Sequence, residues 1–280
     1  MLEVGYKIIG LILLARLKPI KESKALDREF HNGFPCLRGI VDSIFTVKQL
    51  IKKRSEHGLP TWLLLIDLVK AFDRVPRELL WKVLNKQGVP PKLVSLLRSL
   101  HQTVKVKLEY KNVTQMLDSI IGVKQGDLLG PDLFIFFMAA IMKTWRSSHN
   151  YDLCCIHTKA DFLLAGWKHI NKGEEHNISD SEYADDTVFI FESRTDCERM
   201  APLMAKHFDR WGLEVHVGTK INKESKSEVL FCAADPKCYS NRSSFNDTDL
   251  SPIRWEGGFC YCYRNTVRNS RSYGVKTYIP

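Results

Sequence analysis

No stretch of the chain is apolar for long enough to cross a bilayer. The N-terminal run Ile8 to Ala15 spans eight residues, against the ~20 that a membrane helix needs. Lys7 and Arg16 flank it and no small-residue cleavage site follows. It therefore reads as a buried helix segment rather than a secretion signal, and an intracellular protein with no membrane partner is expected. Cysteine pairs spaced for zinc are missing too. The eight cysteines (Cys36, Cys154, Cys155, Cys197, Cys232, Cys238, Cys260 and Cys262) contain no CxxC, and no Cys/His set has finger spacing. Scattered thiols suit a reducing compartment. The group from Cys232 to Cys262 leaves metal binding open beside the plainer reading of ordinary thiols. Internal repeats and low-complexity tracts are also absent, which excludes solenoids and arrays.

What remains is a globular composition, 44% apolar and 26% charged over 280 residues, long enough to bury a substantial core. The net charge of +9 fits a polyanionic partner, because each Lys or Arg placed near a phosphate releases a condensed counterion. Charge alone does not name that partner.

Hydrophobic spacing predicts an apolar helix over 5–17 and a second helix carrying Ile40, Ile44, Val47, Leu50 and Ile51. Thr61 to Asp67 is a short continuous apolar run ending in a carboxylate, the pattern of a buried strand. Pro76 and Gly88 bracket another helix, and one more begins after Pro90 and Pro91. Val104, Val106, Leu108 and Tyr110 alternate with polar residues and predict a strand, with 117–123 as its hairpin partner. Pro131 to Trp145 predicts a central helix, and 146–177 an irregular insertion with one short strand pair. Ser181 to Phe191 reads as strand, tight turn and strand. Thr195 and Glu198 form a capping box ahead of a helix carrying Cys197, Met200, Met204, Phe208 and Trp211. Further strands are expected at Leu213–Val217 and Glu228–Cys232. Beyond Ala234 no period is evident. The whole predicts an α+β fold, an antiparallel sheet with helices on one face.

Asp67 ends a buried strand, and Asp185 and Asp186 occupy a hairpin turn between apolar segments. Carboxylates there are costly unless paired or metal-bound. Three at one sheet edge repel one another and call for cations, such as two Mg²⁺ ions roughly 3.5–4 Å apart. Two aspartates in a turn are also what an ordinary polar turn contains, so the spacing alone leaves both readings open.

Tyr183-Ala184-Asp185-Asp186 resembles the YADD box of reverse transcriptases. Leu65 to Asp73 (LIDLVKAFD) resembles the first catalytic block of the non-LTR retrotransposon and group II intron class. Gly122 to Asp127 (GVKQGD) resembles the block between them, and His31-Asn32-Gly33-Phe34 with Arg38 resembles the fingers block. All four stand in the family's order, over about residues 5–232. The resemblance implies a reverse transcriptase palm with partial fingers, an RNA-directed DNA polymerase that uses an RNA template, a DNA primer and dNTPs. It implies Asp67, Asp185 and Asp186 as ligands of two Mg²⁺, with Mn²⁺ as a substitute, and the carbonyl of Leu68 completing a metal shell. Phe72 matches the aromatic under the incoming sugar, which would exclude a ribose 2′-hydroxyl; it also reads as a core aromatic. Gln125 and Gly126 match residues at the nascent base pair, and Arg38 stands with the substrate contacts. Lys226, within Lys223-Glu224-Ser225-Lys226-Ser227, resembles the lysine that would protonate or screen the leaving pyrophosphate; a solvated surface lysine is the plainer alternative.

The chain departs from the family at Pro35, where arginine is usual, and at Leu128-Leu129-Gly130-Pro131. Residues 1–60 are expected to be partial fingers, 61–234 the palm, and 235–280 an unassigned tail without a full thumb. Two further readings stay open: a truncated, inactive reverse-transcriptase fragment with residual nucleic-acid binding, and an RNA-dependent RNA polymerase, against which Phe72 and the YADD form argue.

Overall fold

A computed structural model describes residues 4–22, 39–56, 58–102, 105–110, 113–123, 127–149, 156–158, 176–218, 225–233, 253–255 and 258–264. In chain order they form α1 (Val4–Glu22), α2 (Ile40–Glu56), β1 (Thr61–Ile66), α3 (Ala71–Arg74), α4 (Arg77–Lys86), α5 (Pro91–Gln102), β2 (Lys105–Tyr110), β3 (Val113–Asp118) and α6 (Gly130–Ser148). There follow β4 (Ile156–Thr158), β5 (His176–Ile178), β6 (Asp180–Tyr183), β7 (Asp186–Phe191), α7 (Arg194–Arg210), β8 (Glu228–Cys232), β9 (Ile253–Trp255) and β10 (Gly258–Arg264).

The apolar run of β1 is continuous because the strand is central. It pairs antiparallel with β7 on one edge and with β8 on the other. β6 adds to β7, giving an antiparallel core of four strands in the order β6-β7-β1-β8. Alternation along the strands sorts two faces. Trp62, Leu64 and Ile66, with Phe189, Phe191, Val229 and Phe231, join the main core. Against it lie α6, where Phe134, Phe136, Phe137, Ile141 and Met142 are fully buried, and α7 with Cys197, Met200, Met204 and Phe208. Leu63, Ile190 and Cys232 point the other way and meet Val47, Leu50 and Ile51 of α2. The α+β expectation holds, and α2 adds a smaller layer on the second face.

Several local expectations shift for identifiable reasons. The partner of β2 is 113–118, not 117–123. Tyr110 pairs with Val113, which leaves only two connecting residues, the shortest common hairpin link. The cap of α7 is Ser193 rather than Thr195. Ser193 is extended, and its Oγ accepts from the Asp196 amide at 3.1 Å, so the capping side chain stands two residues earlier. Helix α1 is not a wholly buried segment. Leu13 and Leu17 enter the core, while Ile8 and Leu11 are 54% and 56% exposed, because only one stripe of the helix packs. The tail, aperiodic in sequence, contributes β10, which runs parallel to β8, and β9, antiparallel to β10. Among the described residues no helix is long and apolar enough to cross a membrane, and Cys197 and Cys232 are buried.

Candidate active site

The period of two that buries Leu63 also decides where Asp67 points. Leu63, Leu65 and then Asp67 lie on the second face, and Leu65 is already 36% exposed. That face is therefore open at this end of the sheet. On β7 the same face carries Ile190, Val188 and Asp186. The pairs Leu65–Val188 and Ile66–Thr187 bring Asp67 opposite Asp186 at the next step. Asp185 sits in the two-residue turn closed by the Tyr183–Asp186 pair. Ala184 takes φ 55° in that turn, a left-handed conformation uncommon outside glycine that clusters at functional sites.

Three carboxylates thus share one open sheet end. Burial, then the charge of Asp185, then that of Asp67 push the carboxyl of Asp186 upward. The donor set is all oxygen and self-repelling, which fits a hard divalent cation. Among the described residues no three acidic, imidazole or thiol side chains are already gathered into a cage. Mg²⁺ sites commonly take only one or two protein carboxylates and fill their remaining positions with water and phosphate.

The end of β1 is held by residues absent from the sequence-based set. Glu214 and His216 run alongside it: the Val69 amide donates to the Glu214 carbonyl at 2.8 Å, and the His216 amide to the Asp67 carbonyl at 2.8 Å. The strand expected at 213–217 is reduced to this bridge between Leu68 and Val215, since both edges of β1 are already taken by β7 and β8. The bridge uses atoms of Asp67 and Val69, not the Leu68 carbonyl. The fully buried Ser227 accepts from the Asp67 amide through Oγ at 3.1 Å. Lys226, exposed and one residue away, donates its amide to His216 Nδ1 at 3.3 Å. Lys226 is therefore one residue from a side chain bonded to the Asp67 main chain.

Phe72 is half-buried and stacks on Phe134, with centroids 4.4 Å apart and planes at 24°. Its carbonyl accepts from the Val123 amide at 2.8 Å, and the Gly122 amide donates to Val75 O at 2.9 Å. Gly122 has φ +79°, and a Cβ there would lie 2.6 Å from the Asp73 carbonyl oxygen; only glycine allows this approach. Arg77 secures the same turn from below, donating to the carbonyls of Gly122 (2.7 Å), Ser119 (2.6 Å), His101 (2.9 Å) and Ile121 (3.1 Å). At the far end the buried Asp127 accepts from Tyr6 Oη at 2.8 Å and from the Leu129 amide at 3.3 Å. Burial, then the bond to Asp127, raise the Tyr6 phenol well above its usual value. Gln125 and Gly126 lie between these anchors, outside the described residues, as do Arg38, Pro35 and the His31–Phe34 block. Arg77 and Tyr6 carry no sequence signal of this role; their partners are 45 and 121 residues away in the chain.

Behind the turn, β6 carries a second charged group. Arg146 of α6 pairs with both Asp180 and Glu182. All three side chains are buried, and Ser179 donates to Asp180 Oδ1 at 2.5 Å. Burial foremost pushes Glu182 up to about 8, Arg146 opposes this, and Asp180 adds to it. One guanidinium cannot neutralise two buried carboxylates, so Glu182 holds its proton. Its Oε2 and Oγ1 of its cross-strand partner Thr187 have no hydrogen-bond partner.

A 201-residue stretch is 25% identical to the transposon TX1 uncharacterized 149 kDa protein of Xenopus laevis, covering 71% of this chain and 14% of that protein. Another of 155 residues is 25% identical to the retrovirus-related Pol polyprotein from type-1 retrotransposable element R2 of Bradysia coprophila, covering 54% and 18%. The chain thus spans less than a fifth of the length of these relatives. A solved telomerase from Candida tropicalis superposes with a TM-score of 0.50 at 12% identity, over 75% of this chain and 32% of that one, which supports the fold. The family model of the reverse transcriptase (RNA-dependent DNA polymerase) matches residues 1–231. By that match, over a sheet that carries Asp67, Asp185 and Asp186 to one open end, the chain belongs to the reverse transcriptase family.

Proposed function

We propose that this chain forms the polymerising palm of a retrotransposon-type element and adds deoxynucleotides to a DNA primer 3′-hydroxyl on an RNA template, inside the cell. The observation that carries the reading is the register that sets Asp67 opposite Asp186 on the open face, with Asp185 in the adjoining turn. Asp67, Asp185 and Asp186 hold the divalent ions, and the Leu68 carbonyl, not used by the bridge to Val215, adds an oxygen ligand. Two bound Mg²⁺, or Mn²⁺, would supply the Lewis acidity that activates the primer hydroxyl and steadies the triphosphate. Lys226 meets the leaving pyrophosphate, where a cation or proton donor lowers the barrier. Gln125 and Gly126 border the nascent pair, and Arg38 contributes to the substrate contacts from the fingers. In this reading 1–60 are part of the fingers, 61–234 the palm, and β9 and β10 of the 235–280 tail extend its sheet.

Phe72 is the sugar gate, its ring fixed by Phe134 and its carbonyl by Val123. Phe72→Val opens room for a 2′-hydroxyl and raises the ratio of ribo- to deoxynucleotide incorporation by about 10-fold or more, a difference of ~1–3 kcal/mol in fit. Competition between dTTP and UTP measures it, and an unchanged ratio removes the gate. The function itself is tested by primer extension on a poly-rA template with dTTP and Mg²⁺. Product well above that of Asp185→Asn is expected. Equal product from the two, with salt-sensitive primer–template binding retained, supports the binding-only fragment instead.

A further inference from the structure

We propose that His216 is a positioning residue: it fixes Lys226 against the Asp67 end of β1 and so sets the cation that meets the polyphosphate of an incoming nucleotide. This rests on the reading of Lys226 given above. His216 is half-buried and engages both sides of the site through three of its own atoms. Its amide donates to the Asp67 carbonyl at 2.8 Å, and its carbonyl accepts from the Ser227 amide at 3.2 Å and from Ser225 Oγ at 3.3 Å. Its ring Nδ1 accepts from the Lys226 amide at 3.3 Å. A backbone N–H can only donate, so Nδ1 is the unprotonated nitrogen in this contact. The backbone bonds would survive any side-chain replacement. The ring alone contributes a side-chain contact to the amide on the N-terminal side of Lys226, while the peptide on its other side is held by the His216 carbonyl and Ser227 is bonded to Asp67. His216 thus bonds both the Asp67 main chain and the Lys226 amide.

The side-chain requirement is specific. Asparagine carries an acceptor oxygen one bond beyond Cγ, where Nδ1 stands in histidine. Glutamine carries it one carbon further out. His216→Asn therefore keeps the contact, and His216→Gln loses it while remaining polar and of similar size.

The test is a lysine-acetylation footprint of the full chain, read by mass spectrometry. The chain is bound to an RNA-template/DNA-primer duplex ended with a dideoxynucleotide, and Mg²⁺ and dTTP are titrated in. We expect dTTP to protect Lys226 in the wild type and in His216→Asn. In His216→Gln the dTTP midpoint for protection rises about tenfold, the loss of one charge-assisted contact. His216→Ala, which keeps every backbone bond, gives the same shift if His216→Gln alters the melting midpoint. Equal protection of Lys226 in wild type, His216→Gln and His216→Ala overturns the positioning role while leaving the lysine reading intact. No protection of Lys226 in the wild type overturns the lysine reading, and the inference with it.

Discussion

Asp186→Asn is expected to lower nucleotide addition by roughly 10²–10⁴-fold, since the proposed divalent-ion site then loses a ligand worth several kcal/mol in the transition state, and to do so without weakening the fold. The two effects have one cause. Asp186 lies opposite Asp67 and beside Asp185, and burial together with those two charges pushes its carboxyl upward. A carboxyl raised in the folded state binds its proton more tightly there than in the unfolded chain. Its unfavourable contribution is therefore absent at low pH and present in full once the pH exceeds the folded value. Asparagine removes that penalty. With EDTA present at pH 7, the variant melts at or above the wild-type temperature, and the difference shrinks as the pH falls through the carboxylate range. Thermal melts at several pH values, set beside single-turnover rates with Mg²⁺, check both halves. A variant that loses activity and stability together would place Asp186 in the scaffold instead.

Arg146→Met is the largest expected loss of stability, about 3–5 kcal/mol, because it leaves Asp180 buried without its cation and Glu182 without its hydrogen-bond donor. Both carboxylates are 1% exposed and Arg146 is 7% exposed, so solvent cannot replace the pairing. The same cluster gives the wild type a pH dependence. Burial holds Glu182 up at about 8, against ~4.3 in an unfolded chain. Between those values the native state carries a proton that the unfolded state lacks. The stability this provides is full below the unfolded value and is lost as the pH rises through about 8. Glu182→Gln keeps the neutral form permanently, so its stability stays near that of the wild type at pH 5 and no longer falls toward pH 8.5. Urea denaturation of wild type, Arg146→Met and Glu182→Gln at those two pH values distinguishes this from a fully ionised cluster, for which Glu182→Gln would leave the slope unchanged. Since Glu182 pairs with Thr187 and that residue adjoins Asp186, the cluster also supports the Ala184–Asp185 turn from behind.

Much of this was legible in the chain. The run Trp62 to Ile66 announces a central strand because both of its edges and most of its side chains are covered. The hairpin around Ala184 and Asp185 follows from apolar segments on either side of a polar turn. The resemblance to the family supplied which carboxylates belong together, and the register of β1 on β7 gives the physical reason: alternation brings Asp67 and Asp186 to the same face. What the sequence hides is held by long-range bonds. Arg77 looks like a first-turn helix residue, yet it binds four carbonyls of distant segments. Tyr6 reads as one more apolar position of α1, yet it anchors Asp127. His216 lies in what alternation predicts to be a strand, and only the crowding of β1 turns that segment into a clamp on Asp67. Strand β10 was illegible because it joins the sheet through parallel pairing with β8, a contact that no local period announces.

Asp67, Asp185 and Asp186 are proposed to form one divalent-ion site, and iron-directed backbone cleavage tests this most directly. Fe²⁺ replaces Mg²⁺ in the full chain, ascorbate and peroxide generate radicals at the bound ion, and the cut positions are read by mass spectrometry. Cuts concentrated at Leu65–Val69 and Tyr183–Val188, suppressed by excess Mg²⁺ and lost in Asp186→Asn, are the expected result. Cuts spread along the chain, or the same pattern in Asp186→Asn as in the wild type, would contradict it.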